Sequence, residues 1–228
     1  MTGEYRVPWG IQLMRPTLRA AFRMLFRILG RVKITGIENV PFNQAYIVAA
    51  NHISIFDPPL LVAFWPETPE VIGASDVFER TGQGLLVRWY GVIPVHRGDY
   101  DRTLLETTIN VLKSGRPLVI LPEGGRSHET VLHHAKPGVG YIIEHANVPV
   151  VPVGIVGTTD DFGQRAKRGG KPQLDIRIGA PIRFPPMTEK GAGRREVRQH
   201  YADLVMSHIA GLLPPEYRGV YAGSAILP

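Results

Sequence analysis

Residues 48–59, with the sequence VAANHISIFDPP, decide how the rest of the chain is interpreted. An apolar run that predicts a buried strand over residues 45–50 stops at Asn51, and His52 follows directly. Asp57 comes five residues after the histidine and is followed by two prolines, which are favoured in the first turn of a helix. The stretch therefore predicts a strand, a turn and a helix, with a histidine and a carboxylate both placed in the turn.

Strand-like and helix-like segments alternate along most of the chain. Strands are predicted at residues 45–50, 71–74, 92–95, 118–121, 148–155 and 174–178. Helices are predicted at residues 15–31, 59–64, 84–90, 100–113, 138–145 and 194–213. This alternation predicts an α/β fold with a mixed, partly parallel central sheet flanked by helices, preceded by an N-terminal amphipathic helical segment. The tail after Pro214 and Pro215 carries little structural signal.

Composition and charge limit the kinds of partner. The chain has 228 residues, a net charge of +6 and an isoelectric point of about 9.7, which favours an anionic partner such as nucleic acid, an anionic membrane or a phosphorylated substrate. The absence of cysteine excludes disulfides, cysteine-ligated zinc and a thiol nucleophile. No apolar run is long enough to predict a transmembrane span, and the N-terminus lacks the layout of a signal peptide.

The turn residues allow two interpretations. Asp57 could cap the helix that begins beside it, which would leave His52 as an ordinary turn residue. Alternatively, the two side chains could converge across the turn, with the carboxylate fixing the ring tautomer so that the second nitrogen is free to act as a base. Such a base could activate a substrate hydroxyl directly, since the chain has neither a cysteine nor a G-x-S-x-G nucleophile elbow.

A candidate anion site follows two other predicted strands. The loop LPEGGRS (residues 121–127) offers the N–H groups of a glycine turn together with Arg126 and Ser127, although its spacing is not that of a P-loop. Arg97 follows the predicted strand at 92–95, which we expect to be a neighbour in the sheet. Two arginines on adjacent loops can clamp a phosphate through charge-assisted hydrogen bonds. The alternative is that both are solvated surface residues, with Glu123 paired to one of them.

The histidine cluster HETVLHH (residues 128–134) is similar to a zinc-binding helix but has the wrong spacing. The H-E-x-x-H motif places its second histidine four residues after the first, whereas His133 and His134 lie five and six residues after His128. Asp160 and Asp161 are interpreted as loop carboxylates. We therefore predict no metal site, and we predict no nucleic-acid binding because few aromatic residues accompany the basic ones.

Four short motifs, in order, resemble those of the glycerolipid acyltransferases. NHISIFD (residues 51–57) matches their N-H-x-x-x-x-D motif, and GVIPVHRG (residues 91–98) is similar to their second block. LPEGGRS is similar to the third block, usually F-P-E-G-T-R-S, and VPVVPVGI (residues 148–155) fits the fourth. The motifs most resemble those of the 1-acylglycerol-3-phosphate O-acyltransferase (lysophosphatidate acyltransferase) group.

The resemblance implies a role for each matching position. His52 would be the general base, and Asp57 would orient it. A proline of the fourth motif, Pro149 or Pro152, would shape the acyl side. The acceptor and its phosphate would be held by a further set of residues, namely Arg97, Glu123, Gly124, Gly125, Arg126 and Ser127.

The resemblance also implies a reaction. A fatty acyl group would move from an acyl thioester, carried by coenzyme A or acyl carrier protein, to the free hydroxyl of a lysophospholipid such as 1-acylglycerol-3-phosphate, without any further cofactor. Leu121 replaces the usual phenylalanine, which is a mild change. Gly125 replaces the usual threonine and removes a hydroxyl from the loop, so the acceptor could instead be glycerol-3-phosphate or another lysolipid. A hypothesis of a different class is a non-catalytic lipid-binding protein.

Residues 1–35 are predicted to contact a membrane, and residues 36–228 are predicted to form the acyltransferase domain. An arginine recurs every four residues in the first segment, opposite a largely apolar side, at Arg15, Arg19, Arg23, Arg27 and Arg31. A basic amphipathic helix of this kind is typical of a membrane interface and predicts peripheral attachment to the anionic, cytoplasmic face of the cell membrane. The alternative is a helix packed on the sheet with a solvated arginine face.

Overall fold

The computed structural model describes residues 5–96, 102–127, 129–188 and 190–227. Its strands are β1 (Arg31–Thr35), β2 (Ile47–Ala50), β3 (Glu70–Ala74), β4 (Ile93–Val95), β5 (Leu118–Ile120), β6 (Val150–Val156) and β7 (Gln173–Ile178). Its helices are α1 (Trp9–Leu29), α2 (Asp57–Phe64), α3 (Gln83–Tyr90), α4 (Arg102–Lys113), α5 (Gly138–Ala146), α6 (Phe162–Lys167) and α7 (Ala192–Leu212). Strands and helices alternate through most of the chain, as the sequence predicted.

These strands form one sheet in the order β1-β7-β6-β2-β5-β3-β4. The pairs from β6 to β4 are parallel, whereas β6 and β7 are antiparallel. The carboxyl ends of β6, β2, β5, β3 and β4 therefore lie along one edge of the sheet, where the sites of α/β folds form. The prediction of a mixed, partly parallel sheet flanked by helices is confirmed.

Each face of the sheet has its own hydrophobic core. In the central strand β2, Val48 and Ala50 pack with residues of α1, α2 and α6. Ile47 and Ala49 point the other way and pack with residues of α4, α5 and α7. All four residues are buried, as expected for a strand with parallel neighbours on both sides and helices on both faces. This packing fixes where β2 ends and therefore where the next residues lie.

Several elements differ from the sequence-based expectation. The end of the predicted N-terminal segment forms the edge strand β1, which pairs with β7 and so joins the first 35 residues to the sheet. Helix α1 begins at Trp9 and contains Pro16, whereas the sequence predicted a helix from residue 15. Helix α6 was not predicted. The C-terminal tail folds into two short 3-10 turns and buries Tyr221.

Three arginines of α1 turn toward the protein, which corrects the predicted orientation of this helix. Arg15 is buried and forms a bidentate ion pair with Glu70 of β3, with N–O distances of 2.8 and 2.6 Å. Arg19 and Arg23 donate to main-chain carbonyls at the carboxyl end of α2, those of Val62, Ala63 and Trp65. The last carbonyls of a helix lack intrahelical donors and carry a partial negative charge, so cations are stabilised there.

The outward face of α1 is mainly apolar. Its exposed large side chains are Trp9, Leu13, Met24, Leu25 and Ile28. A shallow groove beside Met24 and Ile28 is also lined by three basic residues, namely Arg23, Arg27 and Lys171. None of the helices in the described part of the chain has the length and apolar character that a membrane span requires.

Candidate active site

His52 and Asp57 meet in the turn between β2 and α2. The ring nitrogen Nδ1 of His52 lies 3.0 Å from Oδ2 of Asp57. A carboxylate in this position accepts a hydrogen bond from Nδ1–H, which leaves the lone pair of Nε2 free. The side chain of His52 is 13% exposed and that of Asp57 is 0% exposed, so the pair is sheltered while the ring still reaches solvent. The structure thus brings the two predicted residues together in the arrangement of a base and its orienting partner.

Asp57 is held by four donors. Besides the histidine ring, Oδ2 accepts the main-chain N–H groups of Ile53 and Ser54, both at 2.7 Å, and Oδ1 accepts the hydroxyl of Thr158 at 2.5 Å. Such donors replace the water that a buried carboxylate loses. The N-cap position of α2 is occupied by Phe56 rather than by Asp57. The carboxylate therefore accepts hydrogen bonds from the turn and from the His52 ring, which rules out the interpretation of Asp57 as a simple helix cap.

Asn51 extends the pairing between β2 and β6 beyond the strands themselves. Its side-chain amide donates to the carbonyl of Ile155 at 2.9 Å, and its side-chain oxygen accepts the N–H of Ile155 at 2.7 Å. The side chain thus takes the place of a main-chain partner in the ladder, and it is fully buried. It fixes the strand end that precedes His52 and helps to bring Thr158, just after β6, beside the pair.

The loop after β5 holds the main chain of His52 from both sides. Oε1 of Glu123 accepts the N–H of His52 at 2.9 Å, and the N–H of Ser127 donates to the carbonyl of His52 at 2.9 Å. These contacts are possible because β5 lies next to β2 in the sheet. Glu123 thus binds main-chain donors, where the sequence left open an ion pair with an arginine.

Both carboxylate oxygens of Glu123 are used. Oε2 accepts the main-chain N–H of His133 at 3.0 Å, on the side opposite His52. Burial raises the pKa of the Glu123 carboxyl above its usual value, and the hydrogen bonds from the N–H groups of His133 and His52 act in the opposite direction. Glu123 is therefore a buried acceptor that links two segments of main chain.

Residues 124–126 form the more open part of the same loop. Gly124 has a φ of +68°, and a Cβ there would come within 2.8 Å of the Lys136 side chain, so this turn requires glycine. The side chain of Arg126 is 28% exposed and lies 3.6 Å from the exposed carboxylate of Asp160. Contacts between exposed charges at this distance are weak. The Arg126 guanidinium can therefore exchange this partner for a stronger anion.

Two predicted contributions to the site stay predictions. Arg97 lies outside the described residues, and nothing in the structure tests the acyl-side role of Pro149 and Pro152. The placement of the strand before Arg97 is nevertheless known. Strand β4 is separated from β5 by β3, which pairs with both. The expectation that Arg97 and Arg126 follow neighbouring strands is therefore wrong.

Three residues of the site were missed by sequence reasoning, namely Asn51, Thr158 and His133. Asn51 had a usable signal, since it is a polar residue that closes a buried apolar run next to the histidine. Thr158 lies 101 residues from the carboxylate that it contacts, and His133 belongs to a histidine cluster whose spacing does not fit a zinc site. Their contacts depend on sheet order and loop conformation, which no local pattern reveals.

Comparison with known proteins gives one family. Residues 31–156, more than half of the chain, match the model of the acyltransferase family. The chain is 26% identical over 155 residues to human 1-acyl-sn-glycerol-3-phosphate acyltransferase alpha, a match that covers 67% of this chain and 55% of the relative. It is 26% identical over 163 residues to 1-acyl-sn-glycerol-3-phosphate acyltransferase of Bacillus subtilis (strain 168), covering 71% and 79% of the two chains.

A solved structure is also similar. The crystal structure of the 1-acyl-sn-glycerophosphate acyltransferase PlsC from Thermotoga maritima aligns with a TM-score of 0.59 and 25% identity, covering 86% of this chain and 78% of that one. The chain spans about half the length of the human relative. The family match includes His52, Asp57 and the whole 121–127 loop. Sequence motifs, fold and family match agree, and the chain belongs to the acyltransferase family.

Proposed function

We propose that this protein is an O-acyltransferase that moves a fatty acyl group from an acyl thioester to the free hydroxyl of 1-acylglycerol-3-phosphate, giving phosphatidic acid. The observation that carries the proposal is the contact of the buried Asp57 with Nδ1 of His52, at the sheet edge where β2 ends. Family membership supports it, since the named human and bacterial relatives are 1-acyl-sn-glycerol-3-phosphate acyltransferases.

The proposed mechanism uses His52 twice, first as a general base and then as a general acid. Nε2 of His52 takes the proton of the acceptor hydroxyl as the hydroxyl oxygen attacks the thioester carbonyl. The tetrahedral intermediate then expels the thiolate, and the imidazolium returns the proton to sulfur, so an ester and a free thiol leave without an acyl-enzyme. Asp57 stabilises the imidazolium between the two proton transfers. General-base catalysis of this kind is worth about 10²–10⁴ in rate.

We propose that the acceptor phosphate binds at the 121–127 loop. A guanidinium and the N–H groups of a glycine turn are donors that suit a phosphate, and Arg97 is proposed to join them. A phosphate would replace Asp160, which lies 3.6 Å away, as the partner of Arg126. Gly125 stands where threonine is usual in the family, so glycerol-3-phosphate and other lysolipids remain alternative acceptors for the same chemistry.

We also propose that α1 attaches the enzyme peripherally to the anionic, cytoplasmic face of the cell membrane. Its outward side chains are mainly apolar, and Met24 and Ile28 lie beside Arg27 and Lys171. Apolar groups of such a surface enter the lipid while basic groups at its margin attract anionic headgroups. This differs from the sequence-based hypothesis in its electrostatic part, because Arg15, Arg19 and Arg23 bind the protein and cannot all face the headgroups.

An acceptor screen tests the proposed reaction. The purified protein is incubated with acyl-CoA or acyl carrier protein thioesters and with a panel of hydroxyl acceptors, and the products are identified by mass spectrometry. We expect phosphatidic acid from 1-acylglycerol-3-phosphate. Absence of an acylated product with every acceptor and both donors would favour the non-catalytic lipid-binding protein instead.

Two variants test the assignment of the base. We expect His52→Ala to lower kcat by about 10²-fold or more, since the proton has no acceptor, and Asp57→Asn to lower it because the ring tautomer is no longer fixed. His200→Ala, at an exposed histidine of α7, is the matched control and should retain full activity. A folded His52→Ala protein with near-normal turnover would show that the base has been misassigned.

A further inference from the structure

One residue outside the predicted site contacts both supports of the His52 main chain. These supports are Glu123, which accepts the N–H of His52, and Ser127, which donates to its carbonyl. His133 donates its main-chain N–H to Glu123 at 3.0 Å, and its ring nitrogen Nε2 lies 2.7 Å from Oγ of Ser127. His133 therefore contacts both of the residues that hold the main chain of His52.

The hydrogen bonds of the Ser127 hydroxyl determine the direction of the contact with the His133 ring. Oγ lies 2.5 Å from the main-chain carbonyl of Glu129 and 3.1 Å from the N–H of the same residue. Because a carbonyl can only accept, the single hydroxyl proton goes to it. Oγ therefore accepts from the ring, and Nε2 of His133 carries a hydrogen. With two acceptor positions and one donor used, the buried hydroxyl is fully satisfied.

The segment that carries His133 is itself held by the C-terminal tail. The N–H of Leu132 donates to the carbonyl of Tyr217 at 2.9 Å, and the N–H of Ala135 donates to the hydroxyl of Tyr221 at 3.0 Å. His133 thus lies between two anchored residues although it is exposed to solvent. The ring is placed by this anchoring and contributes little to the core.

We propose that His133 is a positioning residue for the general base, holding Glu123 and Ser127 and through them the direction in which Nε2 of His52 points. The inference rests on the proposed function, in which His52 takes the proton of the acceptor. His133 itself touches no reacting atom. A misplacement of about 1 Å can cost on the order of 10²-fold in rate, so a residue two contacts away from the base can control turnover without controlling substrate binding.

Two substitutions separate the hydrogen bond of the ring from its other contacts. His133→Ala keeps the main-chain N–H on Glu123 but removes the donor to Ser127, whereas His133→Gln restores an N–H at a similar reach. We expect kcat of the alanine variant to fall about 10-fold, with the KM values for donor and acceptor changed by less than about twofold, and the glutamine variant to recover most of the loss. His200→Ala, at an exposed histidine of α7 far from this segment in sequence, is the control and should match the wild type.

Hydrogen exchange gives a readout that does not depend on activity. Amide exchange at residues 51–54 and 121–127 should become faster in His133→Ala and stay unchanged in His133→Gln and His200→Ala, with thermal melts confirming that each variant is folded. Unchanged kcat and exchange in a folded His133→Ala protein would overturn the proposal. Equal losses of kcat in the alanine and glutamine variants would also overturn it, because the loss would then be caused by removal of the ring itself and not of its hydrogen bond.

Failure of the proposed function would look different. In that case His52→Ala would keep its turnover, yet exchange at residues 121–127 would still become faster in His133→Ala because the contacts of Ser127 are lost. The same set of variants therefore distinguishes a wrong base from a wrong positioning residue.

Discussion

Thr158 fixes the oxygen of Asp57 that does not face the histidine. Its hydroxyl donates to Oδ1 at 2.5 Å, and both side chains are fully buried. The other oxygen, Oδ2, binds the His52 ring and two main-chain N–H groups. With donors on both oxygens the carboxylate cannot rotate freely, so the direction of its hydrogen bond to the ring is set from two sides.

Replacing Thr158 by valine keeps the side-chain shape but removes the hydroxyl. We expect Thr158→Val to lose about 1–3 kcal/mol of stability, because a buried acceptor loses its partner. We also expect kcat to fall about 10-fold, since the proposed base, His52, depends on an oriented ring. Thr158→Ser retains the hydroxyl and should stay close to the wild type. Thermal melts and steady-state kinetics check both effects, and a valine variant with full turnover would restrict Thr158 to a structural role.

The residues of the site were predictable to the extent that they are local. His52 and Asp57 lie five residues apart in one turn, so their spacing was enough to suggest that they meet. Glu123 and Ser127 were predicted as substrate contacts, but the structure shows them binding the main chain of His52. Glu123 and Ser127 reach His52 because β2 pairs with β5, and the sequence of the loop does not reveal that pairing.

At the scale of elements, the inner side of α1 combines buried apolar residues such as Leu18 and Phe26 with inward-turned arginines, whereas its outer side is mainly apolar. Met24 is 64% exposed and Ile28 is 58% exposed, whereas Arg19 and Arg23 bind carbonyls of α2 and the residue after it. The two sides therefore make opposite contributions. The inner side docks the helix on the protein, and the outer side is proposed to meet the membrane.

Charge substitutions on the two sides of α1 should separate docking from membrane binding. The double variant Met24→Asp and Ile28→Asp should melt like the wild type but lose more than about tenfold in liposome binding at any salt, because each side chain contributes about 1.5–3 kcal/mol when buried in lipid. Arg23→Glu should instead lower the melting temperature, since a carboxylate would face the carbonyl of Ala63 at a helix carboxyl end.

Co-sedimentation with anionic liposomes, run beside a thermal melt of each variant, measures both effects. Thr103→Asp adds one negative charge, half that of the double variant, at an exposed position of α4 and serves as the control. A well-folded wild-type protein that does not bind anionic liposomes even at low salt would contradict the proposed attachment.

Most elements were predicted within two or three residues, because their apolar runs and bounding turn residues are clear in the sequence. Strand β1 was missed because its Arg31 continues the four-residue arginine series of α1. The orientation of α1 was missed for a different reason. Helical periodicity separates an arginine side from an apolar side, but it does not say which side meets the protein. The deciding partners were Glu70 and the carbonyls of α2, which are placed by the tertiary fold.

At the scale of the whole molecule, the C-terminal tail supports the site from a distance. Tyr221 is buried, and its hydroxyl donates to Asp203 of α7 at 2.6 Å while accepting the N–H of Ala135 at 3.0 Å. Burial and the hydrogen bond to Asp203 raise the pKa of this hydroxyl, so it stays neutral and keeps its proton for the carboxylate. The last helix, the tail and the segment carrying His133 are thus joined through one side chain.

Tyr221→Phe tests this connection. The substitution leaves the buried N–H of Ala135 without its acceptor, so we expect a loss of about 1–3 kcal/mol. A loss of this size should lower the melting temperature by about 2–4 °C per kcal/mol in a chain of this length. Ser224→Ala, which removes a more exposed hydroxyl of the same tail, should leave the melt unchanged. Equal melting temperatures for Tyr221→Phe and the wild type would show that the tail does not stabilise the fold through this hydroxyl.

The apolar outward face of α1 also bears on how reaction rates should be described. An enzyme attached by this face would meet its lipid in two dimensions, by diffusing along a surface after it has arrived there. Its rate would then follow the mole fraction of acceptor in that surface rather than the amount of acceptor in the solution. Adding inert lipid would slow the reaction by surface dilution, even though the total acceptor stays the same. A conventional KM in molar units would therefore change with the lipid composition of the vesicles and would not be a property of the enzyme alone.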